Sequence, residues 1–343
     1  MQDPALLVEA HHALWGPLVG LGEYVQAREH AEQGLALYNP KQHHSLTFLY
    51  GGHDPGVCCW KGRILTLWTL GYADQALQRS HEALALAQEL SHPATLALAL
   101  SAIAQLHHHR REVQLTRERA EAAVALCRDR GLGFFLVYAT ISWGWALAAQ
   151  GQVEEGIRQM RQGLTVQQTM GSGLWRPLFL GMLAEAYGKG GQAEEGLSVV
   201  AEALEIVHKA EQRHWAAELY RLRGELTLQK SQVSSSTFQV QAKQKTKSKG
   251  RKAKVSTPHS LIPNSQAEAE AEACFLKAVE IARHQQVKTL ELRATMSLAR
   301  LWQQQGKQRA ARNTLLEIYN WFTEGFDTKD LQEAKVLLDE LSH

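Results

Sequence analysis

Apolar residues recur along most of the 343-residue chain at the three- and four-residue steps of an amphipathic helix. The periodic stretches run for about 15 residues, are rich in Ala, Leu, Glu and Gln, and are not interrupted by an alternating strand pattern of comparable length. One octapeptide separates them: GLGEYVQA (20–27), TLGYADQA (69–76), AQGQVEEG (149–156), KGGQAEEG (189–196) and QQGKQRAA (304–311). The third position is always glycine and the eighth always small. Gly22, Gly71, Gly151, Gly191 and Gly306 are placed to reverse the chain after a helix. Ala27, Ala76, Gly156, Gly196 and Ala311 then let the next helix pack closely. Gly34, Ala83, Gly163 and Ala203 stand twelve residues after the first four glycines, on the same helical face.

The glycines share a register of about 40 residues, since 71 to 151 is two steps and 151 to 191 one. That register predicts a hidden turn near Arg111, within HHHRREVQL, with Ala123 at its small position. A further step from Gly191 falls on Ser231, and the distance to Gly306 exceeds two steps by 35 residues. The surplus coincides with 231–266, which is rich in Ser, Lys and Gln and poor in large apolar residues, so it is expected to be a disordered insert. A smaller surplus of nine residues precedes Gly71.

The expected fold is all-α: a right-handed α-solenoid of about seven helix pairs with a closing C-terminal helix. Residues 1–230 supply five pairs and the first helix of the sixth. Residues 267–343 supply its partner, the seventh pair and the closing helix, which Asp327 and Asp330 are expected to cap. Trp60, Trp68, Trp143, Trp145, Trp175, Trp215, Trp302 and Trp321 are expected to fill the spaces between pairs.

The glycine turn followed by small residues resembles tetratricopeptide-like (TPR) repeats. More narrowly, HDPGVCC, GYADQALQRSHEALALAQELSHP, LAEAYGKGGQAEEGL, ELYRLRGELTLQ, ELRATMSLARLWQQQGK and WFTEGFDTKDLQEAKVLLDEL look like the C-terminal region of bacterial multidomain signalling proteins. Those proteins carry a class III nucleotide (adenylate or guanylate) cyclase domain and a STAND or AAA ATPase ahead of it. The resemblance covers nearly the whole chain outside 231–266 and implies a non-catalytic regulatory or interaction region. It leaves open that the chain is a fragment of the larger protein. No G-x-x-x-x-G-K-[ST] loop and no cyclase strand is present, so no catalytic residue carries over.

Charge narrows the picture further. The formal net charge is only +2, which gives no global attraction to nucleic acid or membrane. Seven cations, Lys243, Lys245, Lys247, Lys249, Arg251, Lys252 and Lys254, sit together in the insert, the one place where an acidic surface or nucleic acid could be touched. No run of apolar residues is long enough to span a membrane. With four cysteines in no metal-ligand spacing, a cytoplasmic setting is expected. Neither metal nor cofactor is expected: consecutive His107, His108 and His109 point apart on a helix and read as a solvated turn. In YGGHDPGVCCWKG (50–62) the last glycine of the turn lacks the Lys and hydroxyl of a phosphate loop, so Asp54 reads as a helix cap and Pro55 as the first helical residue.

The candidate binding residues are charges on helices that otherwise look core-facing: Glu185, Glu218, Arg221, Glu225, Arg293 and Arg300. All fall on the first helix of a pair, the helix that lines the concave groove. They either select a protein segment or pair with one another to hold the superhelix. A small-molecule-sensing helical-repeat domain of a transcription or signalling regulator is the alternative reading.

Overall fold

The computed structural model describes residues 3–173, 175–247 and 262–342. Helices α1 (Pro4–Leu21) and α2 (Tyr24–Leu37) form the first antiparallel pair, and the nine-residue surplus holds a short α3 (Pro40–His43) and a 3-10 turn. The next pairs are α4 (Pro55–Leu70) with α5 (Ala73–Leu90), α6 (Pro93–His109) with α7 (Val113–Arg130), and α8 (Gly133–Ala149) with α9 (Val153–Thr169). Then come α10 (Arg176–Lys189) with α11 (Ala193–Lys209), α12 (Ala216–Lys247) with α13 (Ile262–His284), and α14 (Lys288–Gln304) with α15 (Gln308–Tyr319). Helix α16 (Lys329–Glu340) closes the array. No strand occurs among the described residues, and seven pairs plus a closing helix is the expected α-solenoid.

The turns form where the register put them. Gly71 adopts φ 104°, its N–H reaches Trp68 O at 3.0 Å and the next N–H reaches Leu67 O at 2.8 Å, the double closure of a left-handed helix end. The hidden turn is real but has no glycine: Arg111 itself takes φ 62°, and Glu112 N closes on His107 O at 2.9 Å. Small residues then let backbones touch. A Cβ placed on Gly156 of α9 would lie 2.4 Å from Gly144 O of α8, so that pair packs main chain against main chain.

Asp54 does cap α4, its Oδ1 accepting from Val57 N at 3.0 Å with Pro55 next in line. The closing helix is capped otherwise than expected. Thr328 is its N-cap residue, while Asp327 faces Arg110 and Asp330 faces Arg293. Both aspartates are drawn away by arginines, and ion pairing outweighs a weak cap. The expected insert is helical at both described ends, because α12 passes through Ser231 to Lys247 and α13 starts at Ile262; residues 248–261 lie outside the described residues. Missing large apolar residues argue against a core there, whereas Gln, Ala and Lys favour helix regardless.

The superhelix winds far enough for its last pair to meet its first ones. Thr289 Oγ1 donates to Thr69 O at 3.1 Å, and Tyr24 Oη of the first pair donates to the His214 carbonyl at the entry to the sixth. The Glu324 carboxylate accepts from Asp74 N at 3.0 Å and Gln75 N at 3.1 Å, closing over the start of α5. This wrap corrects the reading of His107, His108 and His109 as solvated. All three are buried at the end of α6: His109 stacks on Trp68 at 4.3 Å, His108 meets Trp145 edge-on at 4.4 Å, and His107 Nδ1 pairs with Glu112 Oε2. Consecutive side chains of a helix can all be buried only when neighbours cover it on every side. Trp68, Trp145, Trp175 and Trp215 are likewise buried between pairs, whereas Trp321 is 38% exposed.

Candidate binding cavity on the concave face

Glu185 on α10, Glu218, Arg221 and Glu225 on α12, and Arg293 and Arg300 on α14 all line one cavity of about 320 Å³. The helical register explains the convergence. Trp145, Glu185 and Glu225 are spaced by 40 residues, and Arg300 takes the same place one repeat on once the 35-residue surplus is counted. Glu218 and Arg293 correspond in the same way. First helices therefore present one stripe to the groove, repeat after repeat.

The stripe is tightly paired. Arg221 donates to Glu218 through Nε at 2.9 Å and through a terminal nitrogen at 2.6 Å, and meets Glu225 at 2.5 Å. Arg293 Nε donates to Asp330 Oδ2 at 2.7 Å, its guanidinium lies 5.3 Å from the Trp68 ring centre, and it also donates to the His109 carbonyl. Arg111 bridges Asp330 at 3.2 Å and Glu333 at 3.0 Å, and Arg300 shares Glu333 at 3.2 Å. Glu185 accepts from Trp145 Nε1 at 2.9 Å and pairs with Lys189 at 3.2 Å. The residues thus pair with one another as one of the two alternatives had it, around open space.

Five acids (Glu185, Glu218, Glu225, Asp330, Glu333) face five cations (Arg111, Lys189, Arg221, Arg293, Arg300). Burial alone would raise the Glu185 carboxyl, but Lys189 and the Trp145 N–H outweigh it and bring the pKa down to about 2. Burial likewise works against ionised Glu218, and Arg221 overcomes it. His108, also on the wall, is pushed down to about 4, chiefly by burial. It is a neutral imidazole whose Nδ1 has no hydrogen-bond partner among the described residues. The five acids and five cations balance in formal charge. Ser297 Oγ on the same wall donates to Glu225 Oε1 at 2.8 Å.

Sequence reasoning missed Arg111, Lys189, Asp330, Glu333, Trp145 and His108. Trp145 and Lys189 carried a signal, the first in the 40-residue stripe and the second four residues after Glu185. The others come from elements brought in by the superhelical wrap.

No family model matches the chain. A 224-residue stretch, 64% of the chain, is 26% identical to an uncharacterized protein of Rhizobium meliloti (strain 1021) and spans 22% of that protein, so the chain matches about a fifth of its relative. Among solved structures, a Rap protein complexed with Competence and Sporulation Factor superposes with a TM-score of 0.56 at 15% identity, over 97% of this chain and 80% of that one. The apo form of RapI gives 0.50 at 9% identity over 96% and 99%. These likenesses concern the fold. The chain has a TPR-like helical-repeat fold. No helix among the described residues is long and apolar enough to cross a membrane.

Proposed function

We propose that this scaffold is the non-catalytic regulatory region of a nucleotide cyclase or STAND/AAA ATPase signalling system, and that it receives a polypeptide segment of its partner in the charged cavity. The observation that carries the reading is the convergence of Glu185, Glu218, Arg221, Glu225, Arg293 and Arg300 on one concave space beside the unpartnered Nδ1 of His108. The much greater length of the Rhizobium meliloti relative supports a setting in a larger assembly.

Arg300 and Lys189 are the variants of choice, because their side chains are 44% and 40% exposed and each makes one charge pair. Arg221 is held between two glutamates, and its reversal would threaten the fold. Affinity capture from the native host should retain a cyclase or ATPase on the parent chain. Arg300→Glu with Lys189→Glu should lose it while helicity by circular dichroism stays unchanged. Absence of any such partner, or capture indifferent to the two reversals, would overturn the reading.

The cavity volume also favours a second reading, a small-molecule sensor, since about 300 Å³ is the lower bound of ordinary ligand pockets. A metabolite that raises the melting temperature of the parent and not of the double variant would select it.

A further inference from the structure

The segment between α2 and α4, longer than the repeat requires, brings two neighbouring residues back to a third 41 positions earlier. His12 comes from the middle of α1, His53 from the loop, and Cys58 from the first turn of α4. One ligand-type atom of each lies within 4.8 Å of the other two. His12 Nε2 is 3.2 Å from His53 Nε2, while the other nitrogen of His12 faces Glu9 Oε2 at 2.9 Å. Glu9 therefore holds the Nδ1–H and leaves the Nε2 lone pair turned toward the cluster, the carboxylate–imidazole arrangement that orients metal-bound histidines.

The spacings suit one ion. Metal–nitrogen bonds of about 2.0–2.1 Å in a tetrahedron place two nitrogens about 3.3 Å apart, and a sulfur at about 2.3 Å lies about 3.6 Å from each. The imidazoles already have the first separation, and the thiol, within 4.8 Å of both, has to close by no more than about 1.2 Å. Position 51 supplies space, since a Cβ there would stand 3.1 Å from His53 Cε1 and 3.4 Å from His12 Cε1. Two imidazoles and a thiolate form a borderline-soft donor set, suited to zinc rather than to magnesium or calcium, which take oxygen.

We propose that His12, His53 and Cys58 bind a zinc ion that ties α1 to the start of α4, with water in the fourth position and Glu9 orienting His12. The sequence argument against metal weighed neighbouring histidines and the spacing of the cysteines separately; residues 41 and 5 positions apart meet here because the loop returns to α1.

The test uses the full chain, stripped of metal and titrated with zinc against a chromophoric chelator, together with the cobalt(II) spectrum. One equivalent should bind, the melting temperature should rise with zinc, and cobalt should show a thiolate charge-transfer band with tetrahedral d–d absorption. Cys58→Ser and His53→Gln should each weaken binding by more than about 100-fold, because even loss of an outer partner costs about 10–100-fold, the range expected for Glu9→Gln. His284→Gln, an exposed control, should leave it unchanged. His53 lies in a loop, so His53→Gln decides the matter if Cys58→Ser fails to fold. No zinc uptake against the chelator, binding that survives His53→Gln, or a cobalt spectrum without the thiolate band would overturn the proposal.

Discussion

Arg293 Nε donates to Asp330 Oδ2 at 2.7 Å and ties the seventh helix pair to the closing helix. Both side chains are almost fully buried. The same guanidinium lies over Trp68 and donates to the His109 carbonyl, so one arginine also joins the last pair to the second and third. Arg293→Met should cost about 1–3 kcal/mol in urea unfolding, because it takes the nearer of two arginines from a buried carboxylate and leaves only Arg111, at 3.2 Å. Asp330→Asn should cost less, and the double variant less than the sum of the two.

Backbone contact between α8 and α9 gives a paired test. Glycine in a helix interior is ordinarily worse than alanine by about 1 kcal/mol. Gly20→Ala in the last turn of α1, where nothing lies within 4 Å of the added carbon, should raise stability by up to that amount. Gly156→Ala should lower it by about 1–3 kcal/mol, since the methyl would press on Gly144 O and Ala148 N. Thermal unfolding of the two variants reads the opposite signs.

Buried histidines set a pH dependence. Burial holds His108 at about 4 and His214 at about 3, while the unfolded chain takes up the proton near 6.5. Between those values the unfolded state binds more protons, so the contribution of these two histidines is full above about pH 6.5 and falls as pH drops toward 4, by up to about 1.4 kcal/mol per unit for each histidine. Urea midpoints at pH 7, 5.5 and 4.5 should decline accordingly, and His108→Gln should flatten the slope. A midpoint constant over that range would contradict the assignment.

Asp54 is fully buried and serves three donors: Val57 N at 3.0 Å, Tyr38 Oη at 2.8 Å and His44 Nδ1 at 3.0 Å. Asp54→Ala should therefore cost more than an ordinary helix cap, about 2–3 kcal/mol by chemical denaturation. Asp54→Asn keeps the oxygen facing Val57 and should lose only part of that.

Local chemistry was legible in the chain because it acts over a few residues. Gly22, Gly71, Gly151, Gly191 and Gly306 each mark a left-handed turn, since only a residue without Cβ reverses a helix there at little cost. Even the turn without glycine, at Arg111, followed from counting. The stripe of Glu185, Glu225 and Arg300 was legible for the same reason, as a repeated unit repeats the direction of its side chains.

What the sequence determined by itself is therefore everything carried by period: paired helices, their number, the turn positions and the face that lines the groove. The superhelical wrap decided the rest, because it depends on small rotations accumulated over seven pairs and leaves no mark at any single position. It buried His107, His108 and His109 where polarity suggested solvent, drew Asp327 and Asp330 from capping to arginine, and added Arg111 and Glu333 to the cavity wall. By a shorter route of the same kind, the loop after α2 carried His53 back to His12 and Cys58, since contacts between distant residues follow from where the chain returns in space.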